Sequence, residues 1–373
     1  MKILIIAHPT DLHASAVIWG LRQFGHNPLL WSQVDFPYKD QGSLVLNMEG
    51  GPQLELHING VAVSAPFDVI WHRRKGEPRA RKSSHPDDMK IIIREAKEFI
   101  EICTLYLGNE KTLHINPVEL AFRANYKTIQ LMEARHVGFK IPETLIGNDH
   151  QKVQDFFIKN SGKMIYKAFF PGGWVKENGD SVVLRTSAIS IEDLDSDDAV
   201  RSCPGIFQVL IEKKYELRVT VMGDLVLAGV IDSQKDGKTI DWRYDGVLGR
   251  PPLQATVLPK SVEEKCVQLC RNLGLVFACI DLIVDKNDEY IFLEVNQAGQ
   301  FLWKENCDPN LHMLDAFCRF MLGSEQAPEV GTQTLRLSDY YASQDYQDLQ
   351  DLCANSESNS GIVDKLFTYE TSQ

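Results

Sequence analysis

Residues 280–296, IDLIVDKNDEYIFLEVN, restrict the fold more than any other stretch, because they specify two paired strands and then interrupt their apolar pattern. The two apolar segments, IDLIV and YIFLEV, have the length of strands, and the polar run between them favours a turn. Asp281, Glu294 and Asn296 bring oxygen atoms into this apolar setting. Alternation places Glu294 and Asn296 on one face of the second strand, and hairpin pairing brings Asp281 beside them.

These three residues have the chemistry of ligands for a hard cation. Two carboxylates and an amide oxygen suit Mg²⁺, which usually keeps several waters and takes one or two carboxylates together with substrate phosphates. The alternative is a hairpin without a ligand, in which Glu294 simply lies on a solvated face. The magnesium hypothesis therefore requires a nucleotide site elsewhere in the chain.

The composition excludes several classes of protein. The chain has 373 residues, of which 44% are hydrophobic, and this is enough for two or three domains with their own cores. A net charge of −12 without basic blocks argues against general nucleic-acid binding. Eight cysteines without paired C-x2-C spacing are typical of a reducing compartment, and no apolar run has the length of a signal peptide or membrane span. We therefore expect a cytoplasmic protein that binds neither nucleic acid nor membrane.

Residues 1–116 have the pattern of an N-terminal α/β domain. The opening strand–helix–strand pattern lacks a G-x-G-x-x-G turn, so it does not predict dinucleotide binding. Asn59 and Gly60 separate two short apolar segments and predict a hairpin. A later strand ends in Arg73 and Arg74, which either face a ligand or are solvated at the strand end.

Residues 117–205 have the helix and strand patterns of a second, central subdomain. Glu119–Arg135 predicts one helix, and Met164–Phe169 predicts a strand with Lys167 in its apolar middle. A lysine inside a strand core is uncommon and is usually paired. The glycine-rich loop 171–180 either closes over phosphates with its N–H groups or is an ordinary flexible hairpin loop.

Residues 206–323 predict a third unit, which contains the hairpin of the candidate metal ligands. Glu216–Val221 and Leu225–Ile231 flank a Gly-Asp turn and predict a further hairpin in this unit. Ser, Gln, Asp and Glu dominate residues 324–373, where we expect a mobile or loosely packed polar tail. Within that tail, Leu335–Tyr341 and Ile362–Tyr369 keep some apolar character that would allow them to dock.

Taken in order, these motifs resemble those of the ATP-grasp superfamily of ligases. The spacing D-x12-E-x-N at 281–296 is similar to its Mg-ATP signature, and the resemblance extends over roughly residues 67–305. The other matching segments are WHRR at 71–74, the run at 116–149, IYK at 165–167, the run at 207–234 and DWR at 241–243. More narrowly, the chain resembles the microviridin-type, or graspetide, peptide maturases and the RimK-like ligases.

The resemblance implies an α/β (α+β) fold, in which ATP lies between two α+β subdomains that follow an N-terminal pre-ATP-grasp domain. It implies that Lys127 and Lys167 contact the ATP phosphates and that Glu216 bonds the ribose hydroxyls. Arg218 and Arg243 would lie near the transferred phosphate and the acyl group. The resemblance assigns the remaining residues to adenine and to magnesium: the hinge Gln208, Val209, Leu210 and Ile211 reads the adenine edge, and Asp281, Glu294 and Asn296 hold Mg²⁺, expected as two ions.

Two positions depart from the family pattern. The loop 171–180 lacks the compact G-S-x-G-x-G form of RimK-like enzymes, so the resemblance does not assign its glycines individually. Cys279 stands where some ATP-grasp ligases have an arginine, which weakens the prediction of an anion site on that side.

The reaction that the resemblance implies is the activation of a carboxylate by ATP. The first hypothesis is a maturase that joins Asp or Glu side chains of a precursor peptide, composed of leader and core, to Lys, Ser or Thr of the same peptide. The second is a RimK-like ligase that adds an amino acid to a protein or small molecule. The third is a non-catalytic module that binds nucleotide and peptide, and the fourth is a phosphotransferase. The resemblance also allows a homodimer.

Overall fold

The computed structural model describes residues 1–47, 51–169, 172–233, 253–324 and 334–357. Arg243 and the last part of the predicted polar tail, including Ile362–Tyr369, lie outside these ranges. The described residues form five β-sheets with helices packed against them. None of the helices in these ranges is long and apolar enough to cross a membrane.

The N-terminal part contains seven strands and two α-helices. They are β1 (Ile3–Ile6), α1 (Leu12–Gln23), β2 (Leu29–Trp31), β3 (Gln41–Val45), β4 (Gln53–Ile58), β5 (Val61–Ser64), β6 (Val69–His72), α2 (Met89–Leu105) and β7 (Leu113–Ile115). A parallel sheet has the order β2-β1-β6-β7, and every residue of β1 is buried, as expected for a strand covered on both faces. The predicted hairpin at Asn59 and Gly60 is present between β4 and β5, and both residues have the positive φ that a tight hairpin turn requires.

The central part is an antiparallel sheet with helices before and between its strands. Its elements are α3 (Val118–Ala124), α4 (Lys127–His136), β8 (Thr144–Gly147), α5 (His150–Lys159), β9 (Met164–Lys167), β10 (Gly173–Val175), β11 (Ser181–Val183), β12 (Ser187–Ala188), α6 (Asp197–Ser202) and β13 (Gly205–Val209). The sheet has the order β12-β9-β13-β8, and β10 pairs with β11 as a separate hairpin.

The single helix predicted over Glu119–Arg135 is wrong, because the chain forms two helices there. Asn125 ends α3 with its N–H directed at the carbonyls of the preceding turn, and Tyr126 adopts an extended backbone before α4 begins. The apolar periodicity continues across this break, so periodicity alone does not reveal it. The break matters for the site because it makes Lys127 the first residue of a helix.

The C-terminal part is a five-stranded antiparallel sheet followed by short helices. Its elements are β14 (Lys213–Met222), β15 (Leu225–Ile231), β16 (Leu253–Thr256), α7 (Lys260–Leu273), β17 (Phe277–Asp285), β18 (Tyr290–Asn296), α8 (Trp303–Cys307), α9 (Met313–Met321), α10 (Leu337–Tyr341) and α11 (Gln344–Glu357). The strand order is β16-β15-β14-β17-β18. Both hairpins predicted from the sequence, β14–β15 and β17–β18, are therefore present.

Two of the hydrophobic cores cross the predicted boundaries along the chain. One core joins the N-terminal sheet to the C-terminal part, where Trp71 packs on Phe317 and Phe317 on Phe277, with ring centroids 4.7 and 5.2 Å apart. A second core buries α3, α4 and α7 against β14, β17 and β18. The strands β9 and β13 with α5 and α6 have a small core of their own. This last unit, called the lid below (residues 143–209), is thus built apart from the core that the two ends of the chain share.

Part of the segment that we expected to be a polar tail is packed on α1. Tyr340 of α10 is fully buried, its ring lies 5.9 Å from Trp19, and its hydroxyl donates to Ser15 at 2.8 Å. Leu337 is also buried, so the apolar residues noted within 335–341 do dock.

Asn116 connects the end of the N-terminal part to the C-terminal sheet. Its amide nitrogen donates to the carbonyls of Phe277 and Gln297 at 2.8 and 2.9 Å. Its amide oxygen accepts the N–H groups of Val276 and Phe277 at 2.8 and 2.9 Å. The residue is 1% exposed, so water does not replace these four hydrogen bonds.

We expect Asn116→Ala to lower the free energy of unfolding by about 4 kcal/mol, because several buried backbone groups lose their partners. Urea denaturation measures this change. Asn109→Ala, at an exposed turn of the same part of the chain, should cost less than about 1 kcal/mol. Equal effects of the two substitutions would contradict the structural role of Asn116.

A partly buried histidine pair makes the fold sensitive to acid. His72 and His114 are stacked with ring centroids 5.6 Å apart and share a hydrogen bond of 3.2 Å. Burial, with smaller contributions from His114 and Lys75, lowers the pKa of His72 from 6.5 to about 3. The native state thus stays unprotonated at His72 under conditions in which the unfolded chain takes up a proton.

The stability should therefore fall as the pH decreases from 6.5 towards 3, by about 1.4 kcal/mol per pH unit from this group. We expect His72→Gln to flatten the decrease in unfolding free energy between pH 7 and pH 5, measured by urea denaturation. His136→Gln, at an exposed histidine, should leave the slope unchanged. An identical pH slope in wild type and His72→Gln would refute this assignment.

Candidate active site

Three neighbouring strands bring charged residues into one row across the C-terminal sheet. In the strand register, Arg218 of β14 lies opposite Asp281 of β17, and Asp281 lies opposite Glu294 of β18. Directly paired residues share a face of the sheet, so all three side chains project from the same side. The opposite face is covered by α4 and α7. The register shift between Asp281 and Leu282 is a β-bulge, a feature common beside active sites.

Each carboxylate of this row is paired with a cation. Arg218 bonds Asp281 through Nη1 and Oδ1, and both side chains are largely buried. Lys127 Nζ lies 2.7 Å from Glu294 Oε2, and both of these side chains are about a quarter exposed. Asn296 is exposed, and its Oδ1 accepts the N–H of Ala298 at 3.1 Å.

The chemistry of Asp281, Glu294 and Asn296 fits a hard divalent cation, since the register places two carboxylates side by side with an amide oxygen two residues along the same strand. Among the described residues, no group of three or more His, Cys, Asp or Glu side chains has the arrangement of a metal site. A cation held here would thus take only two carboxylates from the protein. Its other ligands would be Asn296, water and oxygen atoms of a bound substrate.

A second set of predicted residues lies on one face of the lid. Lys167 of β9 lies opposite Ile206 of β13 in the strand register, and Gln208 is two residues after Ile206 on β13. The side chains of Lys167 and Gln208 therefore project from the same face. Phe207, between them, is in the lid core on the other face. Gln208 donates to Thr144 Oγ1 at 3.0 Å, whereas its own Oε1 is buried without a hydrogen-bond partner. A buried acceptor of this kind fits a ligand that donates a hydrogen bond, such as the amino group of adenine.

The hinge that follows Gln208 is already partly hydrogen-bonded within the lid. The N–H of Val209 donates to the carbonyl of Glu143, and the N–H of Leu210 donates to that of Lys163, both at 3.0 Å. These two N–H groups therefore read an adenine edge only if they change partners.

Glu216 forms a buried ion pair with a residue that sequence reasoning missed. Lys213 Nζ lies 2.6 Å from Glu216 Oε1, and the two side chains are 6% and 10% exposed. Glu216 and Arg218 are two residues apart on β14 and share the face of the charged row. Nothing in the sequence distinguished Lys213 from its neighbour Lys214, which pairs with Asp288 at the surface.

Lys304 is a second missed residue, and it lies beside the row, against Thr220 on the same face of the sheet. It is 1% exposed, and its Nζ donates to Thr220 Oγ1 at 2.6 Å and to the carbonyl of Arg218 at 3.3 Å. Burial lowers the pKa of Lys304, with Cys279, Arg218 and Asp281 as the charged or ionisable groups nearby. Its sequence context on the short helix α8 carried no signal of such a contact.

The N-terminal part holds the loop that follows β18. Arg73 is buried, pairs with Asp11 at 3.4 Å and donates to the carbonyl of Ala298. His13 Nε2 accepts the N–H groups of Phe301 and Leu302 at 3.1 and 3.3 Å. The sequence suggested that Arg73 either faces a ligand or is solvated. In the structure it is instead buried, and its contacts with Asp11 and Ala298 are structural.

Two predictions are not tested by the described residues. Arg243 lies outside them. The described part of the loop 171–180 belongs to the β10–β11 hairpin, in which Trp174 is half exposed, and this arrangement fits a phosphate-covering loop and an ordinary hairpin equally.

Comparison with known proteins defines the class to which this fold and site correspond. Residues 123–307 match the model of the RimK-like ATP-grasp domain. Over 90% of this chain and 99% of the other, the structure is similar to a RiPP-associated ATP-grasp ligase of Chryseobacterium gregarium in complex with ADP and a leader and core peptide, with 26% identity and a TM-score of 0.78. No match was found among curated proteins.

A second similar structure is the macrocyclase MdnC of Microcystis aeruginosa MRC bound with the precursor peptide MdnA. It shares 25% identity and a TM-score of 0.75 over 87% of this chain and 100% of the other. The ATP-grasp ligase PsnB, solved with minimal precursor, Mg and ADP, is 22% identical with a TM-score of 0.66 over 87% and 97% of the two chains, and supports the fold.

The ATP-grasp fold predicted from the sequence is therefore confirmed. The protein is an enzyme of the ATP-grasp ligase class. Within that class, its ATP-grasp domain is RimK-like, and its fold over nearly the whole chain is that of the RiPP-associated ATP-grasp ligases.

We expect Lys304→Met to separate stability from activity. Methionine has similar length but no charge to desolvate, so the free energy of unfolding should stay constant or rise by about 1 kcal/mol. Nucleotide turnover, measured as ADP release, should fall about tenfold or more because Arg218 loses a contact that fixes its strand. Lys260→Met, at an exposed residue of α7, is the control. A loss of stability above about 3 kcal/mol, or ADP release equal to that of wild type, would contradict this prediction.

Proposed function

We propose that this protein uses ATP and Mg²⁺ to activate Asp or Glu side chains of a precursor peptide and joins them to hydroxyl or amino groups of the same peptide. The observation that carries the proposal is the row Arg218–Asp281–Glu294 on three adjacent strands. The two carboxylates of this row are oxygen ligands for a metal ion, and Arg218 is a cation for phosphate. Phosphoryl transfer from Mg-ATP requires both kinds of group.

The described residues divide into groups that suit the parts of Mg-ATP. Asp281, Glu294 and Asn296 would hold Mg²⁺, which neutralises phosphate charge when it is bound. Lys127 and Lys167 would contact the phosphates. The residues proposed for the adenine edge and the ribose are Gln208, Val209, Leu210, Ile211 and Glu216. We infer that the lid supplies Lys167, Gln208 and Val209 to this site. The C-terminal sheet would supply the carboxylates.

The reaction proceeds in two displacements. A carboxylate oxygen of the substrate attacks the γ-phosphorus of ATP, the bond to the β-phosphate oxygen breaks, and ADP leaves. A hydroxyl or amino group then attacks the carbonyl carbon of the acyl phosphate, loses its proton, and displaces inorganic phosphate. Arg218 and Arg243 are both proposed to stabilise the negative charge that develops in these steps. Each ester or amide removes one water from the peptide.

The structural relatives support a peptide as the acceptor and donor of the reaction. Both relatives that reach 25% identity and are reported above were solved with a precursor or with leader and core peptides. A free amino acid as the acceptor is the second candidate, and the RimK-like match of residues 123–307 favours it. The two reactions share the activation step, so the product distinguishes them.

The test is mass spectrometry of the small-peptide fraction of the source cell after incubation with the protein, Mg²⁺ and ATP. We expect a peptide lighter by the mass of one or more waters. The double substitution Asp281→Asn, Glu294→Gln should reduce this product about 100-fold, because the oxygen ligands lose their charge.

The matched control is Asp288→Asn, Glu289→Gln at the exposed turn of the same hairpin, which should leave the product unchanged. A product heavier by one amino-acid residue would establish the RimK-like reaction instead. A product heavier by phosphate would show a phosphotransferase, and ADP release without any modified peptide would contradict the maturase function.

A further inference from the structure

Three carboxylates assigned to the nucleotide site are each paired with a cation of the same chain. Glu216 pairs with Lys213, Asp281 with Arg218, and Glu294 with Lys127. Each pair consists of one positive and one negative group, so the three pairs together carry no net charge. The carboxylates that would receive a metal are thus occupied by the cations that would receive phosphate.

This pairing has a different consequence for each ligand. A divalent cation that binds Asp281 and Glu294 alone displaces Arg218 and Lys127 and leaves two positive groups beside a dication. A nucleotide that binds alone draws the same two cations to its phosphates and leaves two carboxylates facing negative oxygens. When both ligands bind, the carboxylates pass to the metal and the cations pass to the phosphates, so that every charge keeps a partner.

We propose that Mg-nucleotide binds to this site by exchange of ion-pair partners, and that Lys127 is the residue through which the affinities for metal and nucleotide are coupled. The proposal rests on the proposed function because it concerns the same site. It adds a coupling between the two ligands: the metal-free, nucleotide-free site is closed by its own ion pairs, and the binding of each ligand favours the binding of the other.

Among the cations of these three ion pairs, Lys127 is the one best placed to exchange its partner. It is the first residue of α4, where the helix dipole disfavours a positive charge, so its position there is favourable only beside an anion. Its side chain is 26% exposed, compared with 15% for Arg218 and 6% for Lys213. The pair with Glu294 is therefore the one that opens with the least rearrangement of buried groups.

The simpler explanation is that the Lys127–Glu294 pair contributes nothing and that Lys127 is only a phosphate contact. Exposed ion pairs are often worth little, so this explanation is physically reasonable. It predicts that removing the charge of Lys127 weakens nucleotide binding by the same factor with and without metal. It also predicts no change in the binding of metal alone.

The experiment measures binding rather than turnover, with no acceptor peptide present. Mn²⁺ replaces Mg²⁺ as the probe, and its free concentration is followed by electron paramagnetic resonance. Titration calorimetry gives the affinity for ADP in the presence and absence of Mg²⁺. The proteins are wild type, Lys127→Met, and the control Lys140→Met, whose lysine pairs with Glu289 at the exposed turn of the same hairpin.

We expect Lys127→Met to bind Mn²⁺ alone about tenfold more tightly than wild type, because Glu294 is released and a positive neighbour is gone. The variant should also bind ADP less tightly in the absence of metal. The reciprocal variant Glu294→Gln releases Lys127 and should bind metal-free ADP more tightly than wild type. Lys140→Met should match wild type in every titration.

Unchanged Mn²⁺ affinity in Lys127→Met, together with an equal loss of ADP affinity with and without Mg²⁺, would overturn the exchange. Weaker metal-free ADP binding in Glu294→Gln would overturn it independently. Because no peptide is present, these outcomes do not depend on which acceptor the enzyme uses. Failure to find a dehydrated peptide, with the expected binding pattern intact, would count against the maturase function and leave the exchange standing.

Discussion

The register of β14, β17 and β18 is the constraint on which the rest of the site depends. It sets Arg218 opposite Asp281 and Asp281 opposite Glu294, so that three side chains from three strands meet on one face. A slip of β17 by one residue would turn Asp281 into the apolar core beneath α4 and α7. The cost of burying that carboxylate among apolar side chains makes the slipped register unstable, so the same packing that forms the core also positions the site.

Several buried polar side chains hold this register from outside the sheet. Gln130 of α4 donates to the carbonyl of Val295 and accepts its N–H, and thereby pairs the edge strand β18, which has no neighbouring strand on that side within the described sheet. Asn116, Arg73 and His13 hold the turns next to the strands of the site. The N-terminal part therefore acts on the chemistry by fixing the loop after Asn296, and its shared core with the C-terminal part makes that support rigid.

The charged groups show where the chain accepts a cost in stability. Lys213 and Lys304 are buried, and burial of a charge is unfavourable unless other groups compensate it. Lys213 is compensated by Glu216, whereas Lys304 has two oxygen atoms and the nearby field of Asp281. Apolar residues would serve stability better at these two positions, and the contacts of both lysines beside the row of charges connect them to its function. The paired carboxylates have a second effect, since a site that neutralises itself holds its geometry before a ligand arrives.

The sequence by itself determined the elements whose cause is local. Alternation of polar and apolar residues specified the β17–β18 hairpin and the common face of Glu294 and Asn296, and Asn59-Gly60 specified the turn between β4 and β5, because neighbouring residues interact through the backbone geometry itself. The motif order was also sufficient for the ATP-grasp fold. Only the tertiary structure decided the break that puts Lys127 at a helix start, its contact with Glu294, and the places of Lys213 and Lys304. The physical reason is that a contact such as Lys127–Glu294, between residues 167 positions apart, is set by how helices and sheets pack, and no periodicity in the sequence records that packing.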